Sequence, residues 1–345
     1  MSGGGLSQVL GVGIQDAVLT SDASITYFKS SFKQYTPFVL QATLPALTAN
    51  SGEPVAWTQY LWFELTCPPT KVEAYQKMIG NVASLTTQAS TIPAYTLYLP
   101  LPFWFALNYG NALPIVSMQF NICTIEIMFE SISNLYITSD NLPLSASTDE
   151  LSATLYIDYI FLNTAERDLL GAEASQYLIG VWQHNGLESG STPNIKPQLT
   201  FNHPVIELFW FIRLDANKAL KNWFDYTNWG TSLAAWNGGQ TVASSNLLLN
   251  GNERFSSRAG QYHNYVSAYQ NHSRCPAVGV YSYSFALYPE LATPTGSQNF
   301  SRIDTAILAL NLNTANNVGY KLGVYARSWN ILRVRGGQSG TVFAS

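Results

Sequence analysis

Apolar and polar residues alternate with a period of two along much of this 345-residue chain, and no other feature restricts its fold more. In Ile125-Glu126-Ile127-Met128-Phe129-Glu130, the residues Ile125, Ile127 and Phe129 share one face while both glutamates point the other way. Aromatic and small residues alternate in Tyr281-Ser282-Tyr283-Ser284-Phe285-Ala286, and Leu308, Leu310 and Leu312 are set against Ala309, Asn311 and Asn313. Thr154 to Leu162 and Val205 to Leu214 are further runs rich in β-branched and aromatic residues. Successive side chains of a strand point to opposite faces, so this pattern predicts strands in packed antiparallel sheets. Turn-rich segments at 48–54, 108–114, 186–197, 236–239 and 289–296 separate the runs. Helical signals are few: Ser21-Asp22 ahead of Ala23 to Lys33, the stretch Lys71 to Ile79, and Thr164 to Leu170, with Thr164 as N-cap and Gly171 as stop. The expected fold is all-β: two sandwiches joined near residues 165–195.

Composition says what such a chain does with its surface. Aromatics reach 13% and hydrophobic residues 47%, which argues against disorder. Charged residues make up only 11%, where about 25% is usual. Low surface charge favours association, so the composition points to a chain that lives in an assembly. The net charge of −4 and the scattered basic residues supply no stripe for direct nucleic-acid contact. Arg327, Arg333 and Arg335 read instead as the exposed face of a last strand. Cys67, Cys123 and Cys275 are too far apart for a zinc motif and too few for a disulfide framework, which implies synthesis in a reducing compartment. Residues Met1 to Gly5 show no signal-peptide pattern. The longest apolar run, Leu97 to Leu107, is broken by Pro100 and Pro102 and too short to span a bilayer.

No local motif carries chemistry, so no catalytic, cofactor-binding or metal-binding residue is expected. His184, His203, His263 and His272 form no pair at metal-ligand spacing. His203, just before an apolar strand, reads as structural. Gly11-Val12-Gly13 begins a dinucleotide fingerprint, but Asp16 stands where the third glycine belongs. Gly186-Leu187-Glu188-Ser189-Gly190 misplaces its serine for a nucleophile elbow. Of two glycosylation sequons, Asn271-His272-Ser273 lies in a polar loop that could carry a glycan, and Asn299-Phe300-Ser301 belongs to a tighter structural motif. The aromatic stretch Trp223 to Trp229, with Trp236-Asn237-Gly238-Gly239, suits a subunit contact, a glycan platform or a satellite core equally well.

Several stretches resemble the major capsid protein of the nucleocytoplasmic large DNA viruses. Tyr283-Ser284-Phe285-Ala286-Leu287 leads through Pro294-Thr295-Gly296 into Asn299-Phe300-Ser301-Arg302-Ile303-Asp304, a run similar to one that family carries. Phe201-Asn202-His203-Pro204-Val205-Ile206-Glu207-Leu208 is similar to its Asn-His-Pro-Val strand. Leu101 to Phe105, Tyr159 to Asn163, the arm-like stretch Gly11 to Phe38 and the closing stretch Tyr325 to Gly337 extend the resemblance from end to end. The chain is shorter than the family usually is, with the shortfall after Phe38 and after Trp57.

That resemblance implies two consecutive eight-stranded-type jelly-roll sandwiches, the first lacking strands, with few short helices. It divides the chain into an arm (1–21), a first jelly roll (22–168), a linker (169–197) and a second jelly roll (198–345). It implies a structural, non-enzymatic coat protein, made in the host cytoplasm and located in the virion. Three copies would form a pseudo-hexagonal homotrimeric capsomer that tiles an icosahedral shell. The implied partners are neighbouring capsomers, minor capsid proteins and an internal membrane; surface glycans stay open. Arg302 and Asp304 are expected to serve folding or assembly. Two other readings remain open: a carbohydrate-binding β-sandwich with Trp229 and Trp236 as its platform, and a jelly-roll glycoside hydrolase or lyase with two facing carboxylates.

Overall fold

The computed structural model describes residues 33–41, 62–87, 89, 93–101, 103–107, 109–121, 123, 136, 152–160, 162–172, 174–219, 223–228, 238–314 and 318–343. The arm, the run Ile125 to Glu130, the turn at 48–54 and the pair Trp229 and Trp236 lie outside the described residues. So does the helix expected from Ala23, apart from Lys33.

Strand β1 (Lys33–Gln41) pairs antiparallel with β2 (Ser152–Ile160), from Lys33 opposite Ile160 to Gln41 opposite Ser152. Along β2 the alternation holds: Thr154, Tyr156 and Asp158 are exposed, whereas Leu155, Ile157 and Tyr159 are half-buried. A helix forms at Val72–Ile79 and stops at Gly80, whose φ of 81° a residue with a Cβ adopts only under strain. The next expected helix spans Thr164–Ala172 and runs through Gly171 rather than stopping at it. Its cap is Asn163, not Thr164. The Asn163 side chain accepts from the Glu166 N–H at 2.8 Å while Glu166 accepts from the Asn163 N–H at 3.2 Å, a reciprocal capping box.

The later part of the chain is a complete two-sheet sandwich. Its eight principal strands are β3 (Ser175–Gly190), β4 (Asn194–Ile195), β5 (Pro204–Leu214), β6 (Val242–Leu249), β7 (Asn252–Ala259), β8 (Val280–Ser284), β10 (Ala306–Leu312) and β11 (Tyr320–Arg335). Short strands β9 (Gln298–Asn299) and β12 (Gln338–Thr341) add to the edges of β5 and β11. One sheet has the order β3-β11-β5-β8 and the other β4-β10-β6-β7, all antiparallel. Numbered along the chain, the principal strands thus lie as 1-8-3-6 over 2-7-4-5, the interleaved order of a jelly roll.

Residues 175–195, expected to belong to a linker, supply strands β3 and β4 of this sandwich. Their composition hid them. Gly186 and Ser189 fall in the turn-rich segment 186–197, and Gln183, His184 and Asn185 before them are polar, yet β3 pairs with β11 from Val334 opposite Ser175 to Tyr320 opposite Gly190. A strand at the side of a sheet keeps such polar residues because half of its surroundings is water.

Burial explains the rest of the patterning. Leu208, Trp210, Ile212 and Leu214 of β5 and Tyr320, Leu322, Val324 and Ala326 of β11 point into the sandwich, where they meet Leu247, Leu308, Leu310 and Leu312 from the facing sheet. The opposite face of β5 is covered as well: Phe209 and Phe211 pack with Leu65, Tyr226, Ala268 and Val280. A strand buried on both faces reads as a nearly continuous apolar run, as Val205 to Leu214 does apart from Glu207 and Arg213. Leu65 comes from a helical turn at 62–66, so the earlier part of the chain plugs the outer face of the later sandwich. A second tie lies at the C-terminal hairpin. Phe120 donates its N–H to the Gly337 carbonyl at 2.9 Å, and Asn121 exchanges hydrogen bonds with the Ser339 backbone at 3.1 and 3.2 Å.

Candidate assembly framework: a buried ion cluster and interlocked motifs

With no catalytic motif in the sequence, the features of interest are those that lock the sandwich into one shape. Two devices do this. The first is a charge cluster on the outer face of the β5–β11 pair. Glu207 and Arg327 are register partners in the sheet, and Arg327 Nη1 donates to Glu207 Oε1 at 3.1 Å. The other oxygen, Glu207 Oε2, lies 3.2 Å from His272 Nε2, just past the helix Ser267–Asn271. His272 Nδ1 lies 3.4 Å from Glu290 Oε1. Glu290 also accepts from the Ser273 N–H at 2.7 Å and from the Ser273 hydroxyl at 2.6 Å. Arg327 Nη2 donates to the Pro289 carbonyl at 2.7 Å, and the Trp62 ring covers the guanidinium at 4.4 Å. Next to this group, Arg274 reaches Glu64 at 3.3 Å and donates its backbone N–H to the Leu65 carbonyl at 2.9 Å.

Glu207 is fully buried and Arg327 nearly so. Such charges persist only when paired and hydrogen-bonded, because removing either from water costs several kcal/mol. Protonated His272 balances the cluster: two cations, His272 and Arg327, face two anions, Glu207 and Glu290. Burial works against the imidazolium, but the Glu207 and Glu290 carboxylates outweigh it and push His272 up to about 9. Burial pushes the Glu290 carboxyl up, and its bonds to His272 and Ser273 more than reverse that, leaving it below the usual carboxylate range. Arg327 therefore departs from the expected exposed face. Arg333 and Arg335 are exposed as expected, but the indole of Trp62 closes over Arg327.

The second device joins the two motifs that carried the strongest resemblance. Asn299 Oδ1 accepts from the Ser301 N–H at 3.0 Å and caps the turn Phe300–Arg302. Ser301 Oγ accepts from the His203 N–H at 2.8 Å, and the His203 carbonyl accepts from the Phe300 N–H at 3.0 Å. These bonds hold His203 at a φ of 65°, a left-handed conformation uncommon outside glycine. Phe300 is buried against Phe201 and Phe285, with ring centroids 6.3 and 5.8 Å away. Arg302 and Asp304 are exposed beside this lock. The structural weight of the motif falls on Asn299, Phe300 and Ser301.

The remaining candidates are dispersed. His184 stacks on Tyr325 with centroids 4.2 Å apart. His263 is enclosed by Trp210, Phe255 and Tyr262, and burial pushes it down to about 4, so its ring is neutral at pH 7. Among the described residues no group of three or more His, Cys, Asp or Glu side chains is arranged to hold a metal ion. Asn271 donates its amide to the Ser267 carbonyl at 2.9 Å, and Ser273 of the same sequon is held by Glu290. Of the aromatic stretch, Tyr226 is fully buried against Phe211 at 4.8 Å, while Asp225 accepts from the Thr227 N–H and hydroxyl at 2.9 and 2.7 Å. That part is a satellite core. Two shallow pockets, of about 410 and 350 Å³, are lined mainly by amides and apolar groups, with Asp304 the sole carboxylate between them.

The charge cluster was the feature sequence reasoning missed. One signal was present: Glu207 interrupts the apolar stretch Val205 to Ile212, and a charge so placed requires a buried partner.

Comparison with known proteins agrees with this fold. Residues 166–340 match the large eukaryotic DNA virus major capsid protein family, and residues 54–163 match the major capsid protein N-terminus family. The chain is 30% identical to the major capsid protein of Pyramimonas orientalis virus over 426 aligned positions, covering 99% of this chain and 100% of that protein. It is 26% identical to the major capsid protein of Paramecium bursaria Chlorella virus 1, again over 99% and 100% of the two chains. Both alignments exceed the 345 residues of this chain, so these relatives are longer. A solved PBCV-1 virus capsid structure superposes with a TM-score of 0.68 at 23% identity, over 91% of this chain and 90% of that one. The Faustovirus major capsid protein gives 0.60 at 14% identity, over 89% and 74%.

Proposed function

Because the chain belongs to the large eukaryotic DNA virus major capsid protein family, and is thus a structural component of the virion coat, we propose that it builds the shell as a homotrimeric, pseudo-hexagonal capsomer. The observation that carries this reading is the 1-8-3-6 over 2-7-4-5 sandwich within a chain matched end to end by capsid proteins. A block made of two upright jelly rolls per chain presents six similar walls in a closed trimer, and such blocks tile a flat facet.

In the same reading the chain divides into an arm (1–21), a first jelly roll (22–168) and a second that starts after residue 168 and takes in β3 and β4. The arm faces inward, toward minor capsid proteins and the internal membrane, while surface glycans decorate exposed loops. The chain has no catalytic role: its carboxylates Glu207, fully buried, and Glu290, half-buried, are paired with Arg327 and His272. Its free cysteines suit synthesis in the host cytoplasm. Size-exclusion chromatography with light scattering tests the central claim. The expected species has three times the 38.0 kDa chain mass; a monomer persisting at high concentration refutes it.

A further inference from the structure

Beside the charge cluster, several large apolar and aromatic side chains lie exposed. Tyr265, Val266 and Tyr269 are exposed where the chain turns from 262 to 271, and Leu287, Tyr288 and Leu291 are exposed on the loop after β8. Tyr269 leaves 82% of its surface in solvent. Tyr265 and Tyr269 are four residues apart on helical backbone and so share one side. The two segments are fastened together, because Ser273 holds Glu290 through both its N–H and its hydroxyl, and Arg327 holds Pro289. From Ala259 to Asn299 the chain contains no Lys or Asp, one Arg and one Glu. Both turn inward: Arg274 pairs with Glu64, and Glu290 contacts His272 and Ser273.

We propose that these six side chains form a chain-to-chain contact whose occupant is a second copy of this protein. The proposal rests on the coat-protein reading above and assigns it a surface. A chain with net charge −4 repels its own copies, so self-contact is favoured where formal charge is absent. Tyrosine-rich, charge-depleted surface is what the centre of an interface presents, whereas an apolar patch of this kind is uncommon on a protein that stays alone. The inward pairing of Arg274 and Glu290 therefore has two effects. It locks the block internally, and it clears charge from the face that meets the neighbour.

Tyr269→Arg and Tyr288→Arg, made singly in the full chain, test the assignment, with Tyr156→Arg on exposed β2 as control. Light scattering is expected to give the 38.0 kDa mass of one chain for both patch variants and the parent's assembled mass for the control. Both patch variants assembling like the parent would overturn the contact and leave the coat reading standing. A parent that never assembles overturns both. Should either variant fail to fold, hydroxyl-radical footprinting of the parent decides the matter. Tyr269 and Tyr288 are expected to be labelled several-fold more slowly in the assembled species than after dilution to single chains, and Tyr156 equally in both. Equal labelling of Tyr269 and Tyr288 in the two species overturns the proposal.

Discussion

The most demanding test of the charge cluster is the pH dependence of stability and its removal by one substitution. In the folded chain His272 titrates at about 9 rather than 6.5. A group whose proton is held more tightly in the folded state adds stability that is complete below its unfolded value and is lost as pH rises through its folded one. The window is therefore pH 6.5 to about 9, and the gap between those values corresponds to about 3 kcal/mol. That is a large share of the about 5–15 kcal/mol that holds a domain folded. The assay is urea unfolding followed by tryptophan fluorescence, with the parent and His272→Gln measured side by side at pH 6.5, 7.5 and 9. The parent's midpoint should fall steadily across the series. The variant should start lower at pH 6.5, change little, and converge with the parent near pH 9. Other groups titrating in this window are common to both proteins and cancel in the difference. A parent midpoint that does not move, or a variant that keeps the parent's slope, refutes the claim that His272 is held protonated between Glu207 and Glu290.

The remaining expectations concern acid, packing and backbone. His263, pushed down to about 4 by burial, has the opposite sign: its contribution is present above 6.5 and lost as pH falls toward 4, so His263→Phe should flatten part of the acid limb of the same urea experiment. Arg327→Met leaves Glu207 buried beside His272 with its register partner gone, and should cost about 3–5 kcal/mol by denaturant unfolding at pH 7. Phe300→Ala should cost about 3–5 kcal/mol, whereas Arg302→Ala, exposed beside it, should stay within about 0.5 kcal/mol; equal losses would return the weight of the motif to its charged residues. Gly279 has a φ of 95° and lies against the Tyr226 carbonyl where a Cβ would project, so Gly279→Ala should lower stability by more than about 1 kcal/mol in thermal unfolding.

Much of this protein was legible from residue order, because side-chain alternation in a strand is local. The runs at Thr154, Val205, Tyr281 and Leu308 became β2, β5, β8 and β10 with edges shifted by only a residue or two. The motif Asn299 to Asp304 signalled the family for a physical reason: its cap, its buried ring and its bond to His203 each require a particular residue type. Other features escaped because their causes are not local. β3 carries the polar composition of a loop and becomes a strand only because β11 supplies its hydrogen-bonding partner, more than a hundred residues later in the chain. Arg327 shares an alternation with Arg333 and Arg335, and its pairing with Glu207 and the cover of Trp62, both distant in sequence, separate the buried guanidinium from the exposed ones.

By itself, then, the sequence determined an all-β chain, its capsid lineage and a tendency to associate, since period, motif and charge content are properties of residue order. Tertiary structure alone decided which charges are buried. A carboxylate such as Glu207 can leave water only where Arg327 and His272 converge on it, and that convergence exists only after strands distant in sequence have paired.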